Sequence, residues 1–202
     1  MRIKILLLSL LVYTACWSQK QSGDSLKNSA IIFRQELDKQ YADSLHSPLS
    51  QNDRKNFKGH EFFPYDAKLC VTAELKRTPA EKEFKMKTTT DREPLYVKYG
   101  EISFRINNKK YKLNVYQNMD LIKQVEYKDY LFLPFKDVTN GNETYGGGRY
   151  IDLRIPSGTK ISVDFNKAYN PYCAYNHGYS CPVPPAENNL KTEIKAGIKF
   201  RE

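Results

Sequence analysis

LYVKYGEISFRINNKKYKLNVYQ, residues 95–117, reads as two β-strands joined by a tight turn. Apolar and polar residues alternate over 95–106 and again over 110–117, with the β-branched and aromatic residues that favour strands. Asn107 and Asn108 stand between the two runs, and Asn tolerates the positive φ of a two-residue hairpin turn. The stretch therefore predicts an antiparallel β-hairpin.

Further strands are predicted on both sides of this hairpin. Short runs rich in β-branched, aromatic and aliphatic residues occur at 69–75, 83–88, 131–135, 150–155, 160–165 and 190–200. The chain has 15 Tyr and 10 Phe but one Trp, which also favours a β-rich fold with aromatic-lined surfaces. Many short strands predict an antiparallel β-sandwich or a partly closed barrel.

An amphipathic helix is predicted ahead of the strands. Apolar residues recur every three or four positions, at Leu26, Ala30, Phe33, Leu37, Tyr41 and Leu45. Pro48 ends this pattern, and Ser50 followed by Asp53 has the spacing of a cap that would begin a second short helix. We predict a mainly β (α+β) fold with an N-terminal helical cap, as a single globular domain over 25–202 after a tether at 19–24.

The first 18 residues have the composition of an export signal. Arg2 and Lys4 precede an apolar run at 5–12 that is too short to span a bilayer permanently. Two processing routes fit the residues that follow. The tripeptide Thr-Ala-Cys ending at Cys16 resembles a lipobox, which makes Cys16 a candidate for lipidation, whereas a signal peptidase would cut after Ser18. Either route predicts export to the bacterial cell envelope (periplasmic or lipid-anchored) or secretion.

The charge of the chain is positive but dispersed. The net charge at pH 7 is +9, and loss of Arg2 and Lys4 with the leader would lower it to about +7. Basic and acidic residues occur in mixed runs, which indicates a solvated surface and not a nucleic-acid-binding stripe. We therefore expect no nucleic-acid partner, and membrane contact only through a lipid anchor. No pattern in the sequence indicates an oligomeric state.

Polar residues are most concentrated in the last third of the chain. Three glycines at 146–148 precede a predicted strand, so they lack the strand–helix context of a nucleotide-binding loop. They either form a turn or bulge, or expose N–H groups to an anion beside Arg149. Arg149 and Asp152 are three residues apart, so on a strand their side chains would point to opposite faces.

Two cysteines flank a histidine in the loop that follows. In an exported protein, Cys173 and Cys181 would form a disulfide by default. Alternatively, both thiolates could bind zinc together with His177, or His177 could activate one thiol as a nucleophile. The residues leave these alternatives open. Cys70 lies in a strand-like run and is interpreted as a buried small apolar residue.

The same loop carries amides, aromatic rings and a carboxylate. Asn166 and Asn170 follow a predicted strand end at Asp164, where such residues either bind a polar ligand or a cation or form turns. Tyrosines that could stack on a ligand are found at Tyr169, Tyr172, Tyr175 and Tyr179. Prolines at 182, 184 and 185 hold Glu187 and Asn188 in place, so Glu187 is a candidate general acid or base, or a salt-bridge partner for an arginine.

Motifs along the whole predicted domain resemble the bacterial family named domain of unknown function 1684. They are Ser47-Pro48-Leu49, Phe57-Lys58-Gly59, Phe62-Phe63-Pro64, Thr89-Thr90-Asp91, Tyr99-Gly100, Val115-Tyr116-Gln117, Leu131-Phe132-Leu133-Pro134-Phe135, Tyr145-Gly146-Gly147-Gly148-Arg149-Tyr150 and the long closing signature from Phe165-Asn166 to Asn188. The resemblance implies a small, often exported domain whose last third is the shared working part. It also implies that Cys173 and Cys181 act together, as a disulfide or as metal ligands, and it implies no activity.

The leading functional hypothesis is a site for a small polar or anionic ligand at the C-terminal loops. Its candidate residues are Arg149, Asp152, Asn166, Asn170, Tyr172, His177, Glu187 and Asn188. The first alternative is an acid/base or metal-assisted hydrolase that uses Glu187 or His177, with zinc as the candidate metal. The second is a structural envelope domain in which Arg149 and Glu187 pair internally.

Overall fold

A computed structural model describes residues 3–200 of the chain, with side chains from residue 23 onward. The predicted leader over 1–18, including the lipidation candidate Cys16 and the cleavage point after Ser18, lies outside the residues whose side chains are described, and it stays a prediction. Within the described part of the chain, no helix combines the length and the hydrophobicity that a membrane crossing requires.

Seven antiparallel strands form one curled sheet. They are β1 Cys70–Arg77, β2 Phe84–Lys85, β3 Leu95–Ile106, β4 Lys109–Asn118, β5 Tyr130–Phe135, β6 Arg149–Arg154 and β7 Lys160–Asp164. The strand order is β6-β5-β4-β3-β1-β7, and β2 pairs with the start of β3. The sheet curls into a half-barrel, which confirms the predicted partly closed barrel.

The hairpin of β3 and β4 is the longest pairing in the sheet. Its register runs from Tyr96 opposite Asn118 to Ile106 opposite Lys109. Asn107 and Asn108 make the turn with φ values of 49° and 63°, as their tolerance of the left-handed region predicts.

Two helices precede the sheet: α1 Ile3–Ala42 and α2 Gln51–Asn56. Ser50 caps α2 as predicted, since its hydroxyl accepts the backbone N–H of Asp53 at 3.1 Å. The predicted end of the first helix at Leu45 is wrong. The carboxylate of Asp43 accepts the backbone N–H of Leu45 at 3.0 Å and forms a turn there, and the Leu45 side chain is 84% exposed.

The two faces of the sheet carry different side chains. The inner face forms the main core from aliphatic residues and phenylalanines such as Ile102, Leu133 and Phe165. The outer face carries a second cluster: Met86, Tyr96, Tyr116, Phe132 and Tyr150. Because side chains alternate along a strand, β3, β4, β5 and β6 each contribute to both clusters.

The predicted strand at 190–200 is wrong. This C-terminal segment, residues 190–200, runs extended and buries alternate side chains at Ile194, Ala196 and Ile198, but it pairs with no strand of the described sheet. The carbonyls of these same three residues accept hydrogen bonds from a buried arginine side chain, and other backbone groups of the segment bond to residues outside the strands, such as Lys136 and Ala168. The alternation of apolar residues therefore predicted correctly which side chains are buried. It did not predict that the backbone of this segment would lie outside the sheet.

The glycine run forms a turn into β6. The N–H of Gly148 donates to the carbonyl of Tyr145 at 3.1 Å, and Gly148 has a φ of +97°. A Cβ on Gly148 would lie 2.7 Å from the carbonyl oxygen of Phe135 and 2.8 Å from Cγ of Pro184. Glycine is required there by both backbone conformation and space.

Gly148→Ala is expected to lower the free energy of unfolding by about 2–3 kcal/mol, because it combines a strained φ with a backbone clash. Gly158→Ala is the matched control, since nothing lies within 4 Å of a Cβ at that position, and it should change stability by less than about 0.5 kcal/mol. Urea denaturation of both variants measures the difference. Equal midpoints would show that the turn at Gly148 adapts.

Candidate functional site

β6 places its two charged candidates on opposite faces of the sheet. Arg149 points into the core and is fully buried, while Asp152 lies exposed on the outer face. This is the separation that their three-residue spacing predicts. The two side chains therefore belong to different environments and do not share a site.

The guanidinium of Arg149 is occupied by contacts within the protein. Its Nη2 lies 2.7 Å from Oδ2 of Asp137 and donates to the carbonyl of Ile194 at 2.8 Å. Its Nη1 donates to the carbonyls of Ala196 and Ile198 at 2.5 and 3.4 Å. Burial lowers the pKa of Arg149, and the carboxylate of Asp137 opposes that effect. Arg149 thus holds the C-terminal segment against the sheet.

Asp137 completes this buried network. Its Oδ1 accepts the backbone N–H of Thr139 at 2.9 Å, the hydroxyl of Thr139 at 2.7 Å and the N–H of Ile194 at 3.1 Å. A buried ion pair needs such additional hydrogen bonds to offset desolvation. Asp137 was absent from the sequence-based candidates, because an Asp followed two residues later by Thr is also typical of an ordinary turn.

Asn166 and Asn188 are buried amides that each bind the backbone of a distant residue. Asn166 accepts the N–H of Asp66 and donates to its carbonyl, both at 2.9 Å. Asn188 accepts the N–H of Asn114 at 2.7 Å, and it donates to the carbonyls of Asn114 and Pro134 at 2.8 and 2.6 Å. A side-chain amide has the same donor and acceptor as a peptide group, so each asparagine replaces one missing backbone pairing.

The acid/base candidates do not meet. Glu187 is exposed and lines a separate surface cavity with Tyr116 and Lys98, away from Arg149. His177 is exposed at the tip of its loop. Asn170 is buried, and its Nδ2 donates to the hydroxyl of Tyr175 at 2.9 Å.

A cavity of about 420 Å³ lies between the outer face of the sheet, α1 and the loop over 169–182. This aromatic cavity is lined by Phe33, Leu37, Gln40, Tyr96, Leu121, Tyr130, Phe132, Tyr150, Asp152, Tyr169, Pro171, Tyr172, Tyr179, Ser180, Cys181 and Pro182. Half of these side chains are aromatic. Of the candidate ligand-binding residues, the structure brings Asp152 and Tyr172 to this cavity, together with the cysteine candidate Cys181.

Ring packing and hydrogen bonds set the shape of the aromatic cavity. The Phe132 and Tyr150 rings pack edge to face with centroids 4.7 Å apart, and the Tyr150 hydroxyl donates to the carbonyl of Pro182. On the opposite wall, Gln40 of α1 donates to the hydroxyl of Tyr172 at 2.5 Å. The cavity is thus fixed to both the sheet and the helix.

Asp152 is held at the edge of the cavity by two tyrosines. The hydroxyls of Tyr130 and Tyr169 both donate to its Oδ1, each at 2.7 Å. Burial, and after it the neighbouring carboxylate, raises the pKa of Tyr130 and of Tyr169. Both tyrosines are therefore neutral hydrogen-bond donors at physiological pH, and they orient the carboxylate without cancelling its charge.

The two loop cysteines are neighbours with free thiols. The backbone N–H of Cys173 donates to Sγ of Cys181 at 3.2 Å, and both side chains are buried. A hydrogen bond from the Cys181 thiol lowers the pKa of Cys173, and the same bond raises the pKa of Cys181. Among the described side chains, no three His, Cys, Asp or Glu residues lie close enough together to hold a metal ion.

Several cavity residues were absent from the sequence-based candidates. Tyr130 and Phe132 are two apart on β5, and Tyr150 is two residues before the candidate Asp152 on β6, so strand alternation places each pair on the outer face. That signal was present in the sequence. Phe33 was assigned to the apolar stripe of the helix, and nothing local indicates that this stripe meets the outer aromatic cluster.

The sequence profile of a family described as "Protein of unknown function (DUF1684)" matches residues 55–199. The chain belongs to this family. The match includes every strand and the loop over 169–182, whereas α1, which supplies one wall of the aromatic cavity, precedes it. No curated protein matches the chain.

The chain is also similar to a solved structure. The solution NMR structure of the uncharacterized protein from gene locus rrnAC0354 of Haloarcula marismortui superposes with a TM-score of 0.70 at 29% sequence identity. The similarity covers 89% of this chain and 97% of that one. It supports the half-barrel fold, and its description assigns no activity.

Proposed function

We propose that the chain binds a small molecule with an apolar body and a polar end in the aromatic cavity. The observation that carries this proposal is the pairing of a lining that is half aromatic with one carboxylate, that of Asp152, which is oriented by Tyr130 and Tyr169. Ligand sites typically combine apolar walls with a few fixed polar groups, and a volume of about 420 Å³ suits a small molecule.

Only some of the ligand-binding residues predicted from the sequence belong to the proposed site. Asp152 and Tyr172 remain in the proposed site, whereas Arg149, Asn166 and Asn188 are occupied by internal hydrogen bonds. Among the described lining residues there is no Lys, Arg or His to pair with an anion. The proposal therefore keeps the small polar ligand of the sequence analysis and favours a ligand without negative charge.

Binding can be tested with a panel of small aromatic and aliphatic alcohols, amines and sugars, by ligand-observed NMR. We expect at least one class to bind, and Phe33→Ala and Tyr172→Ala should each weaken the best binder about five- to tenfold. The physical reason is the loss of ring contact, which is worth about 1 kcal/mol per ring.

Tyr111→Ala is the matched control. Tyr111 is a partly buried ring that packs on the inner core, away from the aromatic cavity. A ligand affected equally by all three variants would indicate general destabilisation, and a panel without binders would contradict the proposal.

We also propose that Cys173 and Cys181 can form a disulfide. The support is their adjacency, with the N–H of Cys173 on the sulfur of Cys181, and the docking of the loop on Thr89, whose N–H donates to the Cys181 carbonyl at 2.9 Å. Oxidation removes one proton and one electron from each thiol. A disulfide oxidant such as oxidised glutathione accepts both electrons and is released as two thiols.

Treatment with oxidised glutathione should lower the mass of the protein by two hydrogens and raise its free energy of unfolding by about 2–3 kcal/mol, as expected for a short closed loop. Mass spectrometry of proteolytic fragments locates the bridge. Cys70→Ser should behave as wild type, and Cys173→Ser should lose the effect. Stable attachment of glutathione to Cys173 or Cys181 would contradict the pairing.

Export to the cell envelope is proposed on the leader-like residues alone: the basic pair Arg2 and Lys4, the apolar run over 5–12, and the two processing points at Cys16 and Ser18.

A further inference from the structure

The carboxylate of Asp152 is the one fixed charge among the described residues that line the aromatic cavity. Its hydrogen bonds from Tyr130 and Tyr169 come from neutral hydroxyls and converge on Oδ1. Oδ2 receives no hydrogen bond from any side chain in the described part of the chain. Asp152 thus lies at the boundary between the aromatic cavity and an adjoining cavity that it also lines, and its Oδ2 is still able to accept a hydrogen bond.

The neighbouring cations are bound to other groups. Arg154 lies in an adjoining cavity, where it pairs with Asp129 at 2.7 Å. Lys167 lines the same adjoining cavity and donates to the hydroxyl of Ser29 at 2.7 Å. Arg92, near the other end of the aromatic cavity, donates to the side chain and carbonyl of Ser180. None of the three lines the aromatic cavity.

The rest of the lining is suited to a positive charge. Aromatic faces carry negative electrostatic potential, so rings that surround a cation stabilise it without a second carboxylate. Tyr169 packs between Tyr150 and Phe33, with ring centroids 5.9 and 6.3 Å away. A ring wall next to a carboxylate attracts a cation with an apolar body and repels an anion.

We propose that the aromatic cavity takes an organic ammonium ion with an aromatic or aliphatic body, and that its cationic nitrogen lies beside Asp152. This inference rests on the proposed small-molecule site and names the class of its ligand. The body of the ligand contacts the outer-face rings, and the ammonium N–H groups donate to Oδ2 of Asp152.

The test compares two molecules with the same body and a different charge, phenethylammonium and 2-phenylethanol. Both are titrated into the full chain and followed by isothermal calorimetry and by protein NMR shifts. The wild type should bind phenethylammonium about tenfold tighter than the alcohol. Asp152→Asn keeps the shape of the side chain and an oxygen that accepts a tyrosine hydroxyl, but it removes the negative charge. This variant should therefore bind phenethylammonium and 2-phenylethanol with equal affinity.

Glu101→Gln is the control for a general change in net charge, because Glu101 pairs with Lys112 on the β3–β4 hairpin and does not line the cavity. It should keep the tenfold preference. Equal binding of both molecules by wild type and Asp152→Asn would overturn the cation assignment while leaving a small-molecule site intact. Absence of binding by either molecule, in a chain that binds another member of the panel, would overturn the ammonium class alone. Absence of any binder would overturn both proposals.

Discussion

The guanidinium of Arg149 lies in the core between the sheet and the C-terminal segment, and it donates to three carbonyls that no strand satisfies. A buried backbone carbonyl without a donor is costly, so the extended segment depends on this side chain. Asp137 balances the charge and binds the N–H of Ile194. Removal of one partner from such a buried pair typically costs about 3–5 kcal/mol.

The side chains of β6 alternate between the two faces of the sheet, and this links the buried Arg149 to the proposed site on the outer face. Placing Arg149 inside fixes Tyr150 and Asp152 on the outer face, where the aromatic cavity lies. The charge of Arg149 is balanced by Asp137 inside the protein, whereas the charge of Asp152 on the outer face can contact a ligand. The buried side chains of Asn166 and Asn188 resemble Arg149 in one respect, because they also hydrogen-bond the backbone of distant residues. They attach these segments to the sheet and its connecting loops.

Local patterns predicted much of the fold because their physical causes are local. Asn107 and Asn108 tolerate positive φ, and Ser50 caps a helix with its own hydroxyl, so neither depends on distant residues. The segment 190–200 was predicted as a strand because its side chains alternate, and alternation reports burial of one face. It does not report what binds the backbone. Here three carbonyls accept hydrogen bonds from a side chain more than 40 residues away in sequence, and other backbone groups bond to loop residues.

The site was harder to predict for the same reason. The last third of the chain is rich in polar residues, but density along the sequence does not distinguish Asp152, which faces a cavity, from Asn188, which is sealed in the core. The cavity also needs Phe33 of α1 and Tyr130 of β5, which come together only in the folded chain. Family membership supports the shared fold over 55–199 and carries no chemistry with it.

Arg149 holds the C-terminal segment against the sheet. Backbone amide hydrogen exchange in Arg149→Lys tests it most directly, because lysine keeps the charge but cannot present two nitrogens in one plane to Asp137 and the three carbonyls. We expect faster exchange at the amides of Ile194, Ile198 and Lys199, with the amides of the β3–β4 hairpin still protected. Unchanged protection in the C-terminal segment would contradict it, and so would a uniform loss of protection across the sheet.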